Sequence, residues 1–200
     1  MISVVAARIT EALCASNAIE ECDRELYQYG FFLILSRIVF FLFTFLVGTL
    51  FGVRGESVVF YIMFSLLRSY AGGIHAKTET SCTLWTGISL FLSVAVIYIL
   101  QSLQCIWIAT GLLIYGFTLI LLISPLDTQT KPLTEAEKKY YRRVTWCISI
   151  FIVAVALICG LFGITNVLYC ASQAMILEGL LLIIGRRKKL YRHQIHCETA

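Results

Sequence analysis

Apolar residues fill six blocks of the chain, at 31–51, 57–71, 82–100, 105–124, 144–163 and 167–185, and the polar residues gather between them. Most blocks approach the roughly 20 residues that a helix needs to cross a hydrocarbon layer about 30 Å thick. Within such a layer every backbone N–H and C=O must be satisfied inside the segment, so each block predicts a helix. Ahead of them, Ile2, Val5, Ile9, Ala12, Leu13, Ile19, Leu26 and Tyr29 recur at helical spacing, while Arg8, Glu11, Glu21, Arg24 and Gln28 occupy other faces. That stripe predicts one amphipathic helix over 2–29, lying on a membrane surface or packed on the protein's own loops. The expected fold is therefore all-α: a polytopic membrane bundle of about six transmembrane helices plus the amphipathic N-terminal segment. The whole chain forms one membrane-embedded domain, with 1–29 interfacial, 30–185 the bundle and 186–200 a basic tail.

Composition agrees with this reading. Of 200 residues, 59% are hydrophobic and 14% charged, too little polar surface to coat a water-soluble globule of this size. The segment before Tyr29 carries Glu20, Glu21, Asp23 and Glu25 and lacks a compact apolar core, so it does not read as a cleaved signal. Lys and Arg are enriched in cytoplasmic loops. With both termini inside, Arg8, Arg24, Arg68, Lys77, Lys131, Lys138, Lys139, Arg142, Arg143 and the cations from Arg186 onward are all cytoplasmic, and only Arg54 lies outside. The net charge of +4 follows from this topology and calls for no nucleic acid. Arg37 and Glu178 interrupt apolar blocks, each roughly 10 Å from the cytoplasmic boundary at 1.5 Å per residue. Charges there are costly unless matched, and the two are expected to pair.

The eight cysteines are scattered and form no CxxC motif. Most read as small buried hydrophobes. Cys82 differs in its company: the segment from Arg68 through Ala71, Gly72, Gly73, His75 and Lys77 to Cys82 joins two apolar blocks on the cytoplasmic side. A Gly-Gly pair ends a helix readily, and the polar stretch from Lys77 to Ser81 can turn in the headgroup region. On one continuous helix His75 and Cys82 stand about 10 Å apart, beyond the ~3 Å that proton transfer needs. A chain reversal brings imidazole and thiol together. A histidine beside a cysteine raises its thiolate fraction and accepts its proton, the minimum for a cysteine nucleophile. A pair of polar residues with a purely structural role fits the same spacing. A metal site does not, since zinc wants three or four ligands and no second histidine is near.

Several separated positions together resemble the accessory gene regulator B family, AgrB. They are Arg68, Ala71, Gly72, Gly73, His75 and Cys82, followed after two helices by Ser124, Pro125, Lys131, Pro132 and Leu133 and by the basic Lys138-Lys139-Tyr140 segment. The resemblance spans essentially the whole chain. It implies a cysteine endopeptidase of the bacterial cytoplasmic membrane that cuts a small amphipathic precursor, AgrD-like, and promotes cyclisation of its core to a thiolactone or lactone autoinducer. By the same resemblance Cys82 is the nucleophile and His75 its base, with Arg68, Gly72 and Gly73 in support. No third catalytic group is evident, Glu79 and Ser81 being open candidates. Lys131, Lys138 and Lys139 suit either docking of an acidic part of the precursor or anchoring at the inner leaflet. No cofactor is implied. The expected partners are the precursor and the bilayer, and a homodimer is compatible with both.

Two other classes of function were weighed. A small peptide transporter accommodates Arg37 and Glu178 as pathway residues, but repeat symmetry and polar groups at the midplane are not evident. A structural partner or receptor leaves the Gly-Gly-x-His and Cys82 pattern unexplained. In the tail, His193, His196 and Cys197 share a helical face and could hold a metal, although basic tails commonly meet anionic headgroups.

Overall fold

A computed structural model of the chain describes residues 2–16, 18–72, 79–126 and 134–198, without side-chain placement at 79, 80, 82 and 188–198. The described residues form seven helices: α1 (Ile2–Ala15), α2 (Arg24–Leu50), α3 (Arg54–Ala71), α4 (Glu79–Ser102), α5 (Ile106–Ile123), α6 (Glu135–Leu161) and α7 (Thr165–Glu198). No strand occurs among them. The chain divides into two compact units, Met1–Phe43 and Thr44–Ala200, with the division falling inside α2.

In the first unit the expected helix over 2–29 is two helices. α1 stops at Ala15, where the Ser16 hydroxyl donates to the Leu13 carbonyl at 2.9 Å and the Ala18 amide closes on the same carbonyl at 3.0 Å. Serine favours such endings because its side chain competes for backbone partners. A single 3-10 turn, Glu21–Asp23, then leads into α2, so Leu26 and Tyr29 belong to the long apolar helix. Arg24 ties the two pieces through Glu11 at 3.1 Å.

Five helices of the chain are long and apolar enough to span a membrane: α2, α4, α5, α6 and the first 23 residues of α7. The remaining expected span, α3, is 18 residues long and carries Arg54, Glu56 and Arg68. It nevertheless runs beside α7, with Glu56 meeting Asn166 near both starts and Arg68 meeting Glu178 further along. α5 runs parallel to α7 as well, since Gly116 abuts Met175 and Gly179 abuts Leu119. α4 and α6 run the other way: Gln101 near the end of α4 donates to Glu56 at 3.2 Å, and Tyr141 near the start of α6 packs on Tyr70 at the end of α3.

α7 is the centre of the second unit. It packs against α3, α4, α5 and α6, and 67% of its apolar stretch is buried, against 28% or less for the other spans. The outward faces carry large apolar side chains such as Leu84, Trp85, Leu122, Phe151 and Ile158, while Ser57, Ser93, Thr145, Ser149, Ser172, Gln173 and Glu178 are buried. This distribution suits lipid as the surrounding medium, because packing between helices in lipid relies on close approach and polar contacts and not on apolar burial. Thr145 and Ser172 satisfy their hydroxyls on backbone carbonyls of their own helices.

Candidate active site

At the C-terminal end of α3 the chain must leave the helix, and Gly72 does so at φ +82° and ψ −175°. L-residues with a side chain avoid that region of backbone space. Space excludes a side chain there too: a Cβ on Gly72 comes within 2.6 Å of the Leu126 carbonyl oxygen. The close approach reflects pairing. Gly72 and Leu126 form a single parallel bridge, and the Leu126 amide donates to the Ala71 carbonyl at 3.1 Å. One of the carbonyls that a helix end leaves unpaired is thereby satisfied by the segment following α5.

Arg68 lies one turn earlier. Its Nη1 reaches Glu178 Oε1 at 3.8 Å and donates to the Gly72 carbonyl at 3.5 Å. Glu178 is fully buried, Arg68 is 29% exposed, and neither Glu178 oxygen has a hydrogen-bond partner among the described residues. A buried carboxylate costs several kcal/mol of desolvation unless an opposite charge meets it, and the Arg68 guanidinium supplies that charge. Depth along each helix, which suggested Arg37, does not single out a cation, and the parallel run of α3 beside α7 brings Arg68 to Glu178. Tyr70 meets the Tyr141 ring at 6.3 Å between centroids, and Tyr141 in turn stacks edge-on against Tyr140 at 5.7 Å. The last turn of α3 is thus held by α6, by α7 and by the segment after α5.

His75 and Gly73 lie outside the described residues, as does Lys131. Cys82 is placed by its backbone in the first turn of α4. Because the far end of α4 meets the start of α3, the first turn of α4 returns to the end of the bundle where Arg68 and Gly72 lie. α3 and α4 therefore run in opposite directions, and α4 begins at Glu79, inside the stretch 77–81 expected to turn, while residues 73–78 lie outside the described residues. Lys138 pairs with Glu135 at 2.9 Å and Lys139 is exposed. Both stand in the first turns of α6, which a Thr134–Glu137 capping box starts. Arg142 covers the Trp146 ring at 5.6 Å, a cation–π contact. Among the described residues, no group of three or more His, Cys, Asp or Glu is placed to hold a metal ion. The side chains of His193, His196 and Cys197 are not among those described.

Sequence reasoning missed the roles of Leu126, Tyr70 and Tyr141, which bear no chemical signature of their own. Nor did it single out Glu56, at the opposite end of the bundle. Its Oε1 accepts from Gln101 at 3.2 Å and Asn166 at 2.8 Å, joining α3, α4 and α7. A carboxylate three residues into a helix that otherwise reads as apolar was the available signal.

The sequence signature of the family described as Accessory gene regulator B matches residues 6–183. The chain belongs to the AgrB family. Its relatives include proteins described only as AgrB-like. One from Clostridium perfringens (strain SM101 / Type A) is 24% identical over 152 residues, covering 72% of this chain and 70% of its own length. Another, from Listeria monocytogenes serotype 4b (strain CLIP80459), is 25% identical over 170 residues, covering 83% and 81%. No solved structure matches the chain. AgrB membership and the apolar helices make this a membrane protein with an AgrB-like role in accessory gene regulator quorum sensing.

Proposed function

We propose that this AgrB-family chain is a membrane cysteine endopeptidase that cuts an AgrD-like precursor and promotes its cyclisation to a thiolactone or lactone. The observation that carries the reading is the position of Cys82. It stands in the first turn of α4, at the end of the bundle where α3 stops at Gly72 and the stretch containing His75 begins. The first turn of a helix has unpaired N–H groups and the positive end of the dipole, a setting that favours an anion such as a thiolate.

In the proposed reaction the Cys82 sulfur forms a bond to the carbonyl carbon at the end of the future ring, and its proton passes to His75. The C–N bond then breaks, the His75 imidazolium returns the proton to the leaving amine, and the acidic tail departs, leaving an acyl-enzyme thioester. A thiol or hydroxyl within the peptide attacks that thioester, closing the ring and releasing Cys82. Exchange of one thioester for another is nearly neutral, whereas forming the first from an amide is uphill and is drawn forward by loss of the tail. Water competes for the acyl group, and a site covered by helices and by the precursor's own amphipathic segment limits that loss. The cations at the start of α6 suit an acidic tail, and the positive-inside pattern puts this end of the bundle and both termini in the cytoplasm.

The test uses membranes containing the full-length protein and a synthetic AgrD-like precursor with an amphipathic helix, a Cys- or Ser-containing core and an acidic tail, with products weighed by mass spectrometry. Cys82→Ala and His75→Ala are each expected to abolish cleavage while the protein still accumulates. Full cleavage by either variant removes that residue from the mechanism.

A further inference from the structure

We infer that Glu178 is a positioning residue for the α3–α4 active site, acting through Arg68 to hold the end of α3 in register. The inference rests on the peptidase reading for its functional consequence and on geometry for its cause. Glu178 is wholly buried on α7, the most enclosed helix of the second unit, so its carboxylate is a fixed point. Arg68 Nη1 lies 3.8 Å from it and, at 3.5 Å, donates to the Gly72 carbonyl where α3 ends. The guanidinium is a rigid fork, and a charge beside Nη1 restricts where the N–H groups of that same nitrogen can point. The carbonyl it meets belongs to the residue whose backbone is already constrained by Leu126. Glu178 thereby reaches the helix terminus through one intermediary, without itself touching the reacting groups. An ion pair kept only for stability has no need of this arrangement: apolar residues of similar volume in place of both partners are often as stable.

The consequence is a requirement for charge at 178, separable from a requirement for shape. Glu178→Gln keeps the shape and removes the charge. Misplacing catalytic groups by about 1 Å commonly costs on the order of a hundredfold in rate. Glu178→Gln is accordingly expected to lower kcat for precursor cleavage by between about tenfold and a hundredfold, with KM little changed. Glu178→Asp, which keeps the charge beside Arg68 and the Arg68 donation to the Gly72 carbonyl, is expected to recover part of that loss.

A second readout follows the helix end without using the reaction. In a chain freed of native cysteines, Tyr70→Cys and Tyr141→Cys replace two rings whose centroids are 6.3 Å apart, and a short bifunctional maleimide, which spans such a gap, should join them rapidly. Adding Glu178→Gln should slow this joining, and Glu178→Asp, which keeps the charge, should slow it less. Unchanged joining overturns the positioning role, whether or not cleavage falls. If the parent protein cuts no precursor, the peptidase reading fails, and the cross-linking rate alone decides the role of Glu178. Should Glu178→Gln fail to accumulate, the doubly neutral Arg68→Gln/Glu178→Gln chain replaces it. That chain strands no charge, and rapid joining in it equally overturns the inference.

Discussion

Gly72 shows how a residue without a side chain can be tightly constrained. Its φ of +82° lies where only glycine is at ease, and the Leu126 carbonyl oxygen occupies the space that a Cβ needs. Gly72→Ala is therefore expected to cost about 1–3 kcal/mol from backbone strain, with the steric conflict added to it. Gly87, inside α4, is the comparison: nothing lies within 4 Å of its Cβ position, and its backbone is helical. Gly87→Ala should be neutral or stabilising by up to about 1 kcal/mol, since alanine is the better helix former. Thermal midpoints of both variants in detergent would check this, and equal midpoints would deny Gly72 its special position. At Glu178 the burial of the carboxylate against Arg68 accounts for a charge that otherwise invites a transport pathway.

Among elements, α7 depends on close approach by α5. A Cβ on Gly116 falls 2.6 Å from the carbonyl carbon of Met175 and 2.7 Å from the amide nitrogen of Ile176, both backbone atoms that cannot rotate aside. Gly116→Ala must push the two helices apart, and overpacking of this kind typically costs about 1–3 kcal/mol. Gly111, on the same helix, faces open space, so Gly111→Ala should leave the midpoint unchanged or raise it slightly. A Gly116→Ala chain as stable as its parent would show that α5 and α7 do not depend on this contact. α3 illustrates the opposite case of an element specified by charge, with Glu56 bonded to Gln101 and Asn166 near one end and Arg68 paired with Glu178 toward the other.

For the whole molecule, the distribution of cations gives a direction. The connections at 103–105 and 162–164 contain none, whereas Arg68, Lys138, Lys139, Arg142, Arg143, Arg186 and Arg187 lie toward the opposite ends of their helices. In the proposed orientation, Ser102→Cys and Ile164→Cys should react with a membrane-impermeant maleimide in intact cells, and Thr134→Cys should not, each in a chain cleared of its other cysteines. Labelling at 134 from outside would overturn the assignment of both termini to the cytoplasm. Failure at both 102 and 164 would do the same.

By itself the sequence determined that the chain is helical, roughly where the spans fall and that the helix before Gly72 ends there. The physical reason is local: a backbone in hydrocarbon must satisfy itself within each segment, and glycine pairs and polar runs end such segments. The break after Ala15 escaped it, because an apolar stripe at helical spacing continues across the Ser16 turn without a change of period. Tertiary structure alone decided that Arg68 meets Glu178, that Leu126 closes the end of α3, and that α3, α4, α5 and α6 all pack on α7. In lipid nearly every face of a span is apolar, so hydropathy leaves rotation and register open. Close contacts at Gly116 and Gly179, and the few buried charges and amides, settle them.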